Sequence, residues 1–238
     1  MLDICVTEKA YPLGREAGRH VAIRDLAFTV DDNTLTCIVG PSGCGKSTLL
    51  RLIAGLDRDF SGAIGGVAEA TRIAMAFQEP RLLPWRTVEQ NIRTGLVPGE
   101  DDSHLPALVQ SLGLEAHVGF FPGELSLGLA RRVALARAFA VKPALLLLDE
   151  PFVSLDEPTA KSLRQLLLEV WRARPTTALM VTHNLREAME LADRIIVLSA
   201  RPATVRGEVA LTTERPARDL RWVNAKLAEM ETRFAGMV

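Results

Sequence analysis

The chain has 238 residues, of which 48% are hydrophobic and 24% are charged, a composition that is ordinary for a large globular domain. A formal net charge of −1 excludes a global positive field of the kind that attracts nucleic acid or anionic lipid, although it leaves room for a local basic patch. The three cysteines are odd in number and lack metal-ligand spacing, so a reducing cytoplasm fits better than a disulfide framework.

Neither a targeting signal nor a membrane span is predicted. The N-terminal stretch MLDICVTEK lacks the basic-then-apolar order of a signal peptide. The richest apolar run, VALARAFAVKPALLLL, falls short of the ~20 residues needed to cross a bilayer, because Arg137, Lys142 and Pro143 interrupt it. We therefore expect any membrane role to act through a partner protein.

The predicted elements begin with two strands and continue as alternating strands and helices. The stretches LDICVTEKAY and HVAIRDLAFTV alternate in part, which suits an antiparallel flap. Five later apolar runs predict buried strands, over residues 35–40, 72–77, 144–149, 178–182 and 194–198. Because these runs do not alternate, we expect both of their faces to be covered, as in a doubly wound parallel sheet with helices between its strands.

Helical patterns lie between these runs and after them. KSTLLRLIAGL follows the first run, and Gly55 is expected to end that helix. Residues 87–142 are interpreted as a helical insertion, which opens with the capping-box pattern Thr87-Val-Glu-Gln90. Beyond Pro216 an amphipathic tail helix is predicted from apolar residues at spacings of 3 and 4, namely Leu220, Val223, Leu227, Met230 and Phe234.

The segment GPSGCGKST, residues 40–48, follows the first apolar run directly and opens a helix, and it satisfies the P-loop pattern G-x-x-x-x-G-K-[ST]. Such a turn points successive backbone N–H groups inward, and the helix N-terminus adds positive potential for an anion. Lys46 would reach the β- and γ-phosphates and Ser47 would ligate Mg²⁺, whereas the alternative is a glycine-rich turn with a chance lysine. The predicted nucleotide-binding residues here are Gly40, Pro41, Ser42, Gly43, Cys44, Gly45, Lys46, Ser47 and Thr48.

Four further side chains are predicted at the carboxyl ends of strands, where open parallel sheets bind ligands. Asp149 and Glu150 end the run LLLLDE, so Asp149 can hold Mg²⁺ and Glu150 can deprotonate an attacking water. Gln78 and His183 end or follow the runs IAMAFQ and ALMVTH. Gln78 can bind Mg²⁺ or water, and His183 can donate to a γ-phosphate. Taken singly, each of these two is more often a surface residue or a satisfied core residue.

Two helix starts allow two interpretations each. The stretch GELSLGLARRVALARAFA, residues 123–140, is either an ordinary helix capped by Ser126 or half of a site completed elsewhere. Asp156 in SLD suits a helix N-cap about as well as a contact between subunits.

With these motifs in this order, the sequence resembles the ATP-binding-cassette (ABC) transporter ATPases over nearly its full length. Residues 40–48 match Walker A, LLLLDE matches Walker B and LSLGL matches the signature. Gln78, Asp156 and His183 match the Q-loop, the D-loop and the switch histidine. FQEPRLLPWRTVEQNI and VTHNLREAMELADRIIVLSARP resemble the importer ATPases for nitrate, taurine and aliphatic sulfonates.

The resemblance implies an α/β fold, a P-loop NTPase (RecA-like) core with an N-terminal antiparallel β flap and a helical insertion. The whole chain, 1–238, is expected to be a single ABC ATPase domain with three parts. The nucleotide-binding core and flap comprise 1–86 and 143–212, a helical signature subdomain comprises 87–142, and a tail helix comprises 213–238.

The resemblance also implies partners and cofactors. Two copies would pack head to tail as a homodimer around two ATP molecules with Mg²⁺, held by Ser47, Gln78 and Asp149. Ser126 and Gly128 would reach the partner's ATP, and Tyr11 would stack on adenine. The segment EPRLLPW would receive a coupling helix of integral membrane permease subunits, to which a periplasmic binding protein delivers solute. The chain would lie peripherally on the cytoplasmic side of the inner membrane, without nucleic acid as a partner.

The signature departs from the family pattern L-S-G-G-Q, because Leu127 and Leu129 replace a glycine and the glutamine. The leading hypothesis is still an ATPase that drives uptake of a small anion such as a sulfonate, taurine or nitrate. An alternative is an ATP-binding subunit with weak or regulatory turnover, since lost polar contacts slow closure or hydrolysis. A nucleic-acid machine is the third class, but the long coiled-coil insertion or second cassette typical of that class is not found.

Overall fold

The computed structural model describes residues 1–12, 18–66 and 71–235. These residues form two compact units, one made of Met1–Glu69 with Thr177–Val238 and the other of Ala70–Thr176. Strands and helices are numbered along the chain through both units. The last three residues of the predicted tail segment lie outside the described part of the chain.

The first unit contains most of the strands. Its strands are β1 (Leu2–Pro12), β2 (Arg19–Val30), β3 (Leu35–Val39), β4 (Ser61–Gly65), β7 (Thr177–Thr182), β8 (Arg194–Leu198) and β9 (Val205–Ala210). Its helices are α1 (Lys46–Ile53), α6 (Leu185–Leu191) and α7 (Leu220–Arg233). The second unit contains strands β5 (Ile73–Ala76) and β6 (Leu145–Asp149), and helices α2 (Val88–Ile92), α3 (Leu105–Ser111), α4 (Leu127–Ala140) and α5 (Glu157–Ala173).

The predicted antiparallel flap is confirmed as a three-stranded sheet in the order β2-β1-β4. Along the first half of β1, Leu2, Ile4 and Val6 are buried and alternate with exposed side chains, so one face of the sheet packs on the core. The third strand, β4, was not predicted, because SGAIG offers no apolar run and is mostly exposed.

Strands β3, β7 and β8 are parallel neighbours, as predicted from their continuous apolar runs. Every residue of β3 and β7 is buried, which agrees with a sheet covered on both faces. The structure adds β9 in antiparallel pairing with β8 and gives the order β7-β3-β8-β9 within this unit. In the second unit β5 and β6 are parallel, and β6 is wholly buried.

The tail helix is present as α7, with Val223 and Met230 buried and Phe234 buried just beyond its end. Phe234 packs against β9, where a Cβ on Gly207 would lie 2.6 Å from the phenylalanine ring. The prediction was wrong for Leu220, which is 71% exposed. Leu220 is the first helical residue after the N-cap Asp219, and the buried face of the helix begins only at Val223.

Two predicted helix ends are confirmed. Gly55 follows α1 with φ +69°, a left-handed conformation that ends a helix at little cost for glycine. Thr87 and Gln90 form the predicted capping box at the start of α2, each side chain accepting from the other's backbone N–H. Among the described residues, none of the helices combines the length and apolar character needed to cross a membrane.

Candidate functional site

The P-loop lies between the end of β3 at Val39 and the start of α1 at Lys46. Gly45 is the residue before α1 and has φ +121°, a backbone conformation that side chains other than glycine rarely adopt. The turn is closed by a hydrogen bond from Cys44 N to Pro41 O at 3.2 Å. The sequence therefore folds here into a tight strand-to-helix turn at a helix N-terminus, which is a backbone suited to hold an anion.

The Lys46 ammonium lies against this turn. The side chain is only 4% exposed, and Nζ donates to Gly40 O at 2.7 Å and to Pro41 O at 3.0 Å. A buried ammonium bound to two carbonyls of its own loop supplies a positive charge at the place where the backbone favours an anion. The phosphate-binding role of Lys46 stays a prediction.

His183 emerges from the sheet beside the P-loop. Strands β3 and β7 pair in parallel with Val39 opposite Thr182, so Gly40 and His183 each follow the last paired residue of adjacent strands. Strands in a sheet lie about 5 Å apart, which brings the two segments together at one edge. The flanking backbone is fixed because Thr182 Oγ1 donates to Glu187 Oε2 at 2.6 Å and Asn184 caps α6.

Tyr11 lies near the end of β1, opposite His20 on β2. Arg201 donates to the carbonyl of Gly43 in the P-loop and is hydrogen-bonded to the His20 ring. The strand pair that carries Tyr11 is thus tied to the P-loop through one guanidinium. Arg201 was not singled out from the sequence, because an exposed arginine in a loop carries no pattern of its own.

In the second unit, Gln78 and Glu150 emerge side by side. Strands β5 and β6 pair in parallel with Ala76 opposite Leu148, and each of the two side chains comes two residues later. Gln78 is exposed and Glu150 is half-buried. Asp149, the last residue of β6, is 4% exposed, so a buried carboxylate lies at the carboxyl end of this strand.

The backbone of Glu150 is in the left-handed region, with φ +45°. Such a conformation costs on the order of 1–3 kcal/mol for a residue other than glycine, and it persists only where surrounding contacts impose it. Ser154 further along the same loop also has a positive φ, +62°. The loop after β6 is therefore strained at two residues, Glu150 and Ser154.

Arg131 of α4 supplies contacts that hold this loop. Its guanidinium donates to Val153 O at 2.6 Å, Pro151 O at 3.2 Å and Glu150 O at 3.4 Å, and the side chain is only 6% exposed. Burial lowers the pKa of Arg131, and the nearby Glu150 charge opposes that shift. Sequence reasoning missed this residue, although an arginine within the apolar stretch of LARRVALARAFA was a usable signal.

Arg137, six residues later on α4, holds the loop after β5 by hydrogen bonds to its backbone carbonyls. Its guanidinium donates to Pro80 O at 2.7 Å and to Arg81 O at 2.8 Å. Burial lowers the pKa of Arg137 as well. Arg81 has φ +47° and lies over the Phe77 ring at 4.4 Å, so the segment just beyond Gln78 is also held in a left-handed turn.

The start of α4 carries the signature residues. Ser126 is the N-cap, and its hydroxyl accepts from Leu129 N at 3.3 Å, so the capped-helix interpretation is confirmed. Gly128 is buried against α5, and a Cβ there would lie 2.8 Å from Thr159 Cγ2. Leu127 is 42% exposed. The signature glycine is thus required by packing within this unit, whatever its role toward a ligand.

We expect Gly128→Ala to destabilise the protein by about 1–3 kcal/mol, the usual cost of overpacking a well-filled contact. Thr159→Ser removes the opposing methyl and keeps the hydroxyl that donates to Asp156 at 2.9 Å. The double substitution should therefore recover most of the lost stability in thermal unfolding, with Thr159→Ser alone as the control. A double variant as unstable as Gly128→Ala would show that the Thr159 contact is not the cause.

Asp156 is the N-cap of α5. Its carboxylate accepts from Thr159 N at 2.9 Å as well as from the Thr159 hydroxyl, and these hydrogen bonds lower its pKa. The N-cap interpretation is confirmed, and the other interpretation, a contact between subunits, stays a prediction.

The predicted metal ligands offer the oxygen donors that Mg²⁺ prefers: the Ser47 hydroxyl, the Gln78 amide and the buried Asp149 carboxylate. No three His, Cys, Asp or Glu side chains cluster as a metal cage within residues 1–12, 18–66 and 71–235. Mg²⁺ commonly takes one or two protein ligands together with substrate phosphates and water, so each of these oxygens is chemically suited to an ion that arrives with a nucleotide.

The family model for the ABC transporter matches residues 23–153, which is more than half of the chain. This chain belongs to the ABC transporter family. The match includes the P-loop, the signature and the run LLLLDE. As a member of this family, the chain is an ATPase with the P-loop NTPase fold, and it binds ATP with Mg²⁺. The predicted fold class and cofactors are thereby confirmed.

Two relatives of this ABC ATPase match along most of their lengths. An aliphatic sulfonates import ATP-binding protein from Pseudomonas syringae pv. tomato is 42% identical over 92% of this chain and 91% of the relative. One of the same description from Bacillus licheniformis is 41% identical over 86% of this chain and 82% of the relative. A solved dimeric ATP-binding cassette in a post-hydrolysis state, bound to ADP and Pi, has a TM-score of 0.74 and 26% identity, covering 90% of this chain and all of that one.

The comparisons give no support to the alternative of weak or regulatory turnover. The relatives that match over most of their length are described as import ATP-binding proteins, and the solved cassette was captured after hydrolysis. Leu127 and Leu129 are departures from the family signature in a chain that belongs to this family of ATPases.

Proposed function

We propose that this chain is the ATP-binding subunit of an importer of aliphatic sulfonates, in which ATP hydrolysis drives uptake of the anion. The observation that carries the proposal is the 42% identity, over nine-tenths of both chains, to an aliphatic sulfonates import ATP-binding protein. Other relatives near 40% identity have the same description. Taurine and nitrate are the alternative cargoes that the sequence resemblance left open.

The working assembly is a homodimer bound to integral membrane permease subunits on the cytoplasmic side of the inner membrane. A periplasmic solute-binding protein delivers the anion to the permease. The dimeric state of the solved cassette supports the first part of this proposal. In a head-to-tail pair, Ser126 and Gly128 meet the partner's ATP and Asp156 lies at the contact between subunits.

We assign the following roles within one subunit as part of this proposal. Residues 40–48 cradle the phosphates, with Lys46 neutralising their charge, and Tyr11 stacks on the base. Ser47, Gln78 and Asp149 would supply oxygen ligands to the Mg²⁺ that accompanies ATP, and the ion would offset charge on the phosphates. Glu150 deprotonates the attacking water and His183 senses the γ-phosphate. Support for the roles of the P-loop, His183, Gln78 and Glu150 comes from the emergence of each at the carboxyl end of a parallel strand.

Growth on defined sulfur sources tests the cargo. A strain lacking the gene for this chain should fail to grow with an alkanesulfonate as sole sulfur source, yet grow normally on sulfate. The wild-type gene should restore growth, and Lys46→Ala should not, because it removes the charge held against the P-loop. Parallel arms use taurine as the sulfur source and nitrate as the nitrogen source. Loss of growth confined to either of these arms would reassign the cargo, and unchanged growth in every arm would contradict import of these anions.

The segment EPRLLPW is proposed as the permease-docking surface because it exposes apolar groups on a rigid loop. Trp85 is 70% exposed. Asn91, which is fully buried, holds the loop by accepting from Leu83 N at 2.7 Å and by donating to Leu83 O at 3.1 Å and Arg86 O at 3.0 Å. A large aromatic side chain on a fixed loop is typical of an interface hot spot.

We expect Trp85→Ala to lower transport by the assembled importer about tenfold or more, because interface hot spots commonly contribute 2 kcal/mol or above. ATP hydrolysis by the isolated subunit should stay within about twofold of wild type. Leu56→Ala is the matched control, since Leu56 is also a large apolar side chain, 62% exposed. Equal loss of transport in both variants, or none in Trp85→Ala, would remove Trp85 from the docking surface.

A further inference from the structure

A buried lysine lies beneath the aromatic ring proposed to stack on the base. Lys9 of β1 is only 2% exposed, and its Nζ lies 4.6 Å from the centroid of the Tyr11 ring. The pairing of β1 with β2 shifts register between Lys9 and Ala10. Such a bulge turns a side chain away from its regular direction, and here the ammonium lies over one face of the neighbouring ring.

Asp57 binds both of these side chains. Its Oδ1 accepts from Lys9 Nζ at 2.9 Å, and its Oδ2 accepts from the Tyr11 hydroxyl at 3.3 Å. Lys9 also donates to Asp59 O at 2.6 Å. The Tyr11 ring is thereby held at its hydroxyl by the Asp57 carboxylate and at one face by the Lys9 ammonium. Asp57 lies in the segment that follows α1, and Lys9 is hydrogen-bonded to that segment.

The charges in this cluster persist at neutral pH. Burial opposes the charge on Lys9, but the hydrogen bond and the charge of Asp57 outweigh it and raise the Lys9 pKa. Burial likewise opposes ionisation of Asp57, but the hydrogen bonds from Lys9 and from Asp59 N outweigh it and lower the Asp57 pKa. Because the Asp57 pKa is lowered on folding, the stabilisation from its carboxylate is present above its unfolded pKa and is lost as pH falls through the folded value.

The cluster is joined to the P-loop at two places. Asp57 follows the C-terminal end of α1, the helix whose N-terminus forms the phosphate turn. Tyr11 faces His20 across the strand pair, and Arg201 links the His20 ring to the Gly43 carbonyl. The strand pair that carries Tyr11 is therefore tied to the phosphate turn, and the ring itself is held at its hydroxyl by Asp57.

We propose that Lys9 and Asp57 are positioning residues for base recognition, which hold the Tyr11 ring with one face covered so that a purine stacks on the other face alone. The proposal rests on the proposed role of Tyr11 in base stacking. An ammonium over one face draws π electron density toward it, which makes the free face a better partner for the electron-rich adenine ring. A ring held in advance also loses less conformational freedom when the nucleotide binds.

The first test compares a ligand that has a base with one that lacks it. ADP and inorganic pyrophosphate, each with Mg²⁺, are titrated calorimetrically into wild-type protein, Lys9→Met, Tyr11→Ala and Arg24→Met. Base stacking contributes on the order of tenfold or more to affinity, so Lys9→Met should weaken ADP binding about five- to tenfold and leave pyrophosphate within about twofold. Arg24→Met is the matched control, because Arg24 on the adjacent strand is half-exposed and only reaches Glu8 at 3.6 Å.

The second test observes the ring directly. Tyr11 is the only tyrosine in the chain, so ring-labelled ¹³C-tyrosine gives NMR signals from this one residue. In the wild type these signals should be sharp and should shift on addition of ADP but not of pyrophosphate. Lys9→Met should broaden or move them in the free protein, whereas Lys9→Arg, which keeps the cation, should restore most of the wild-type spectrum and ADP affinity.

The outcomes separate the two proposals. If Tyr11→Ala weakens ADP binding and Lys9→Met does not, Tyr11 keeps its proposed role and the positioning role of Lys9 is overturned. If Tyr11→Ala leaves ADP binding unchanged, both are overturned. Equal weakening of pyrophosphate and ADP in Lys9→Met would mean general damage and would overturn the inference. Tyr11→Phe covers the case in which Lys9→Met does not fold, since it removes only the hydroxyl held by Asp57 and should weaken ADP binding about two- to threefold.

Discussion

Glu150→Gln is expected to lower steady-state ATP hydrolysis by about 10²- to 10⁴-fold, the range that general base catalysis commonly supplies. Glutamine has the size of glutamate and keeps an oxygen that accepts hydrogen bonds, but it cannot take a proton from water. The left-handed backbone at this position and the hold of Arg131 on the Glu150 carbonyl do not depend on the carboxylate. Nucleotide affinity should therefore stay within about twofold of wild type.

Phosphate release and ADP titration measured on the same preparations check this expectation. Glu169→Gln is the control, because it is the same change on an exposed position of α5 in the same unit. Turnover should remain at the wild-type rate in that variant. Near-normal turnover in Glu150→Gln would remove Glu150 from the role of the base, and a parallel loss of ADP affinity would indicate a change in binding instead.

The buried strands were predictable because burial on both faces leaves a continuous apolar run in the sequence. β3 and β6 are wholly buried, and each of their runs matches the observed strand to within one residue. β4 and β9 escaped prediction because neither has a continuous buried run: SGAIG is mostly exposed, VRGEVA is half-buried or exposed at all but one residue, and both contain glycine. Their pairing is specified by the partner strand and not by their own side chains.

The candidate site divides in a similar way. The positions of the P-loop, Gln78 and Glu150 after strand ends were predictable because the buried strands are visible in the sequence and these residues come directly after them. Arg131 and Arg137 were missed, since their partners are backbone carbonyls that any sequence would provide. The helical pattern predicts on which face of the helix an arginine lies. It does not predict which loop will pack against that face with its backbone carbonyls.

Helix α4 connects the predicted parts of the second unit. It begins at Ser126, its Arg131 holds the loop that contains Glu150, and its Arg137 holds the loop just beyond Gln78. Both loops contain left-handed backbone away from glycine, at Arg81 and at Glu150. A strained loop keeps its shape only while its contacts last. Because both arginines belong to α4, the position of this one helix determines the shape of both loops.

Arg131→Met should destabilise the protein by about 2–3 kcal/mol, because hydrogen bonds from a charged donor contribute roughly 1.5–3 kcal/mol and the Val153 and Pro151 carbonyls lose their partner. For a protein of this size the melting temperature should fall by about 5–10 °C. Turnover should fall by about tenfold or more with little change in ADP affinity, since the loop that contains Glu150 loses these contacts while the P-loop takes no part in them.

Arg132→Met provides the matched control, one residue along the same helix. Its guanidinium makes only long contacts, to Leu112 O and Ser162 Oγ at 3.4 Å each, and the side chain is half-buried. Its expected cost is below about 1 kcal/mol, with unchanged turnover. Arg131→Lys is a further variant that separates charge from geometry. The lysine ammonium keeps the positive charge but lacks the planar guanidinium that reaches three carbonyls. Stability should therefore recover in part, while turnover should stay low. Full recovery of turnover in Arg131→Lys would mean that charge at this position, and not the shape of the loop, governs Glu150.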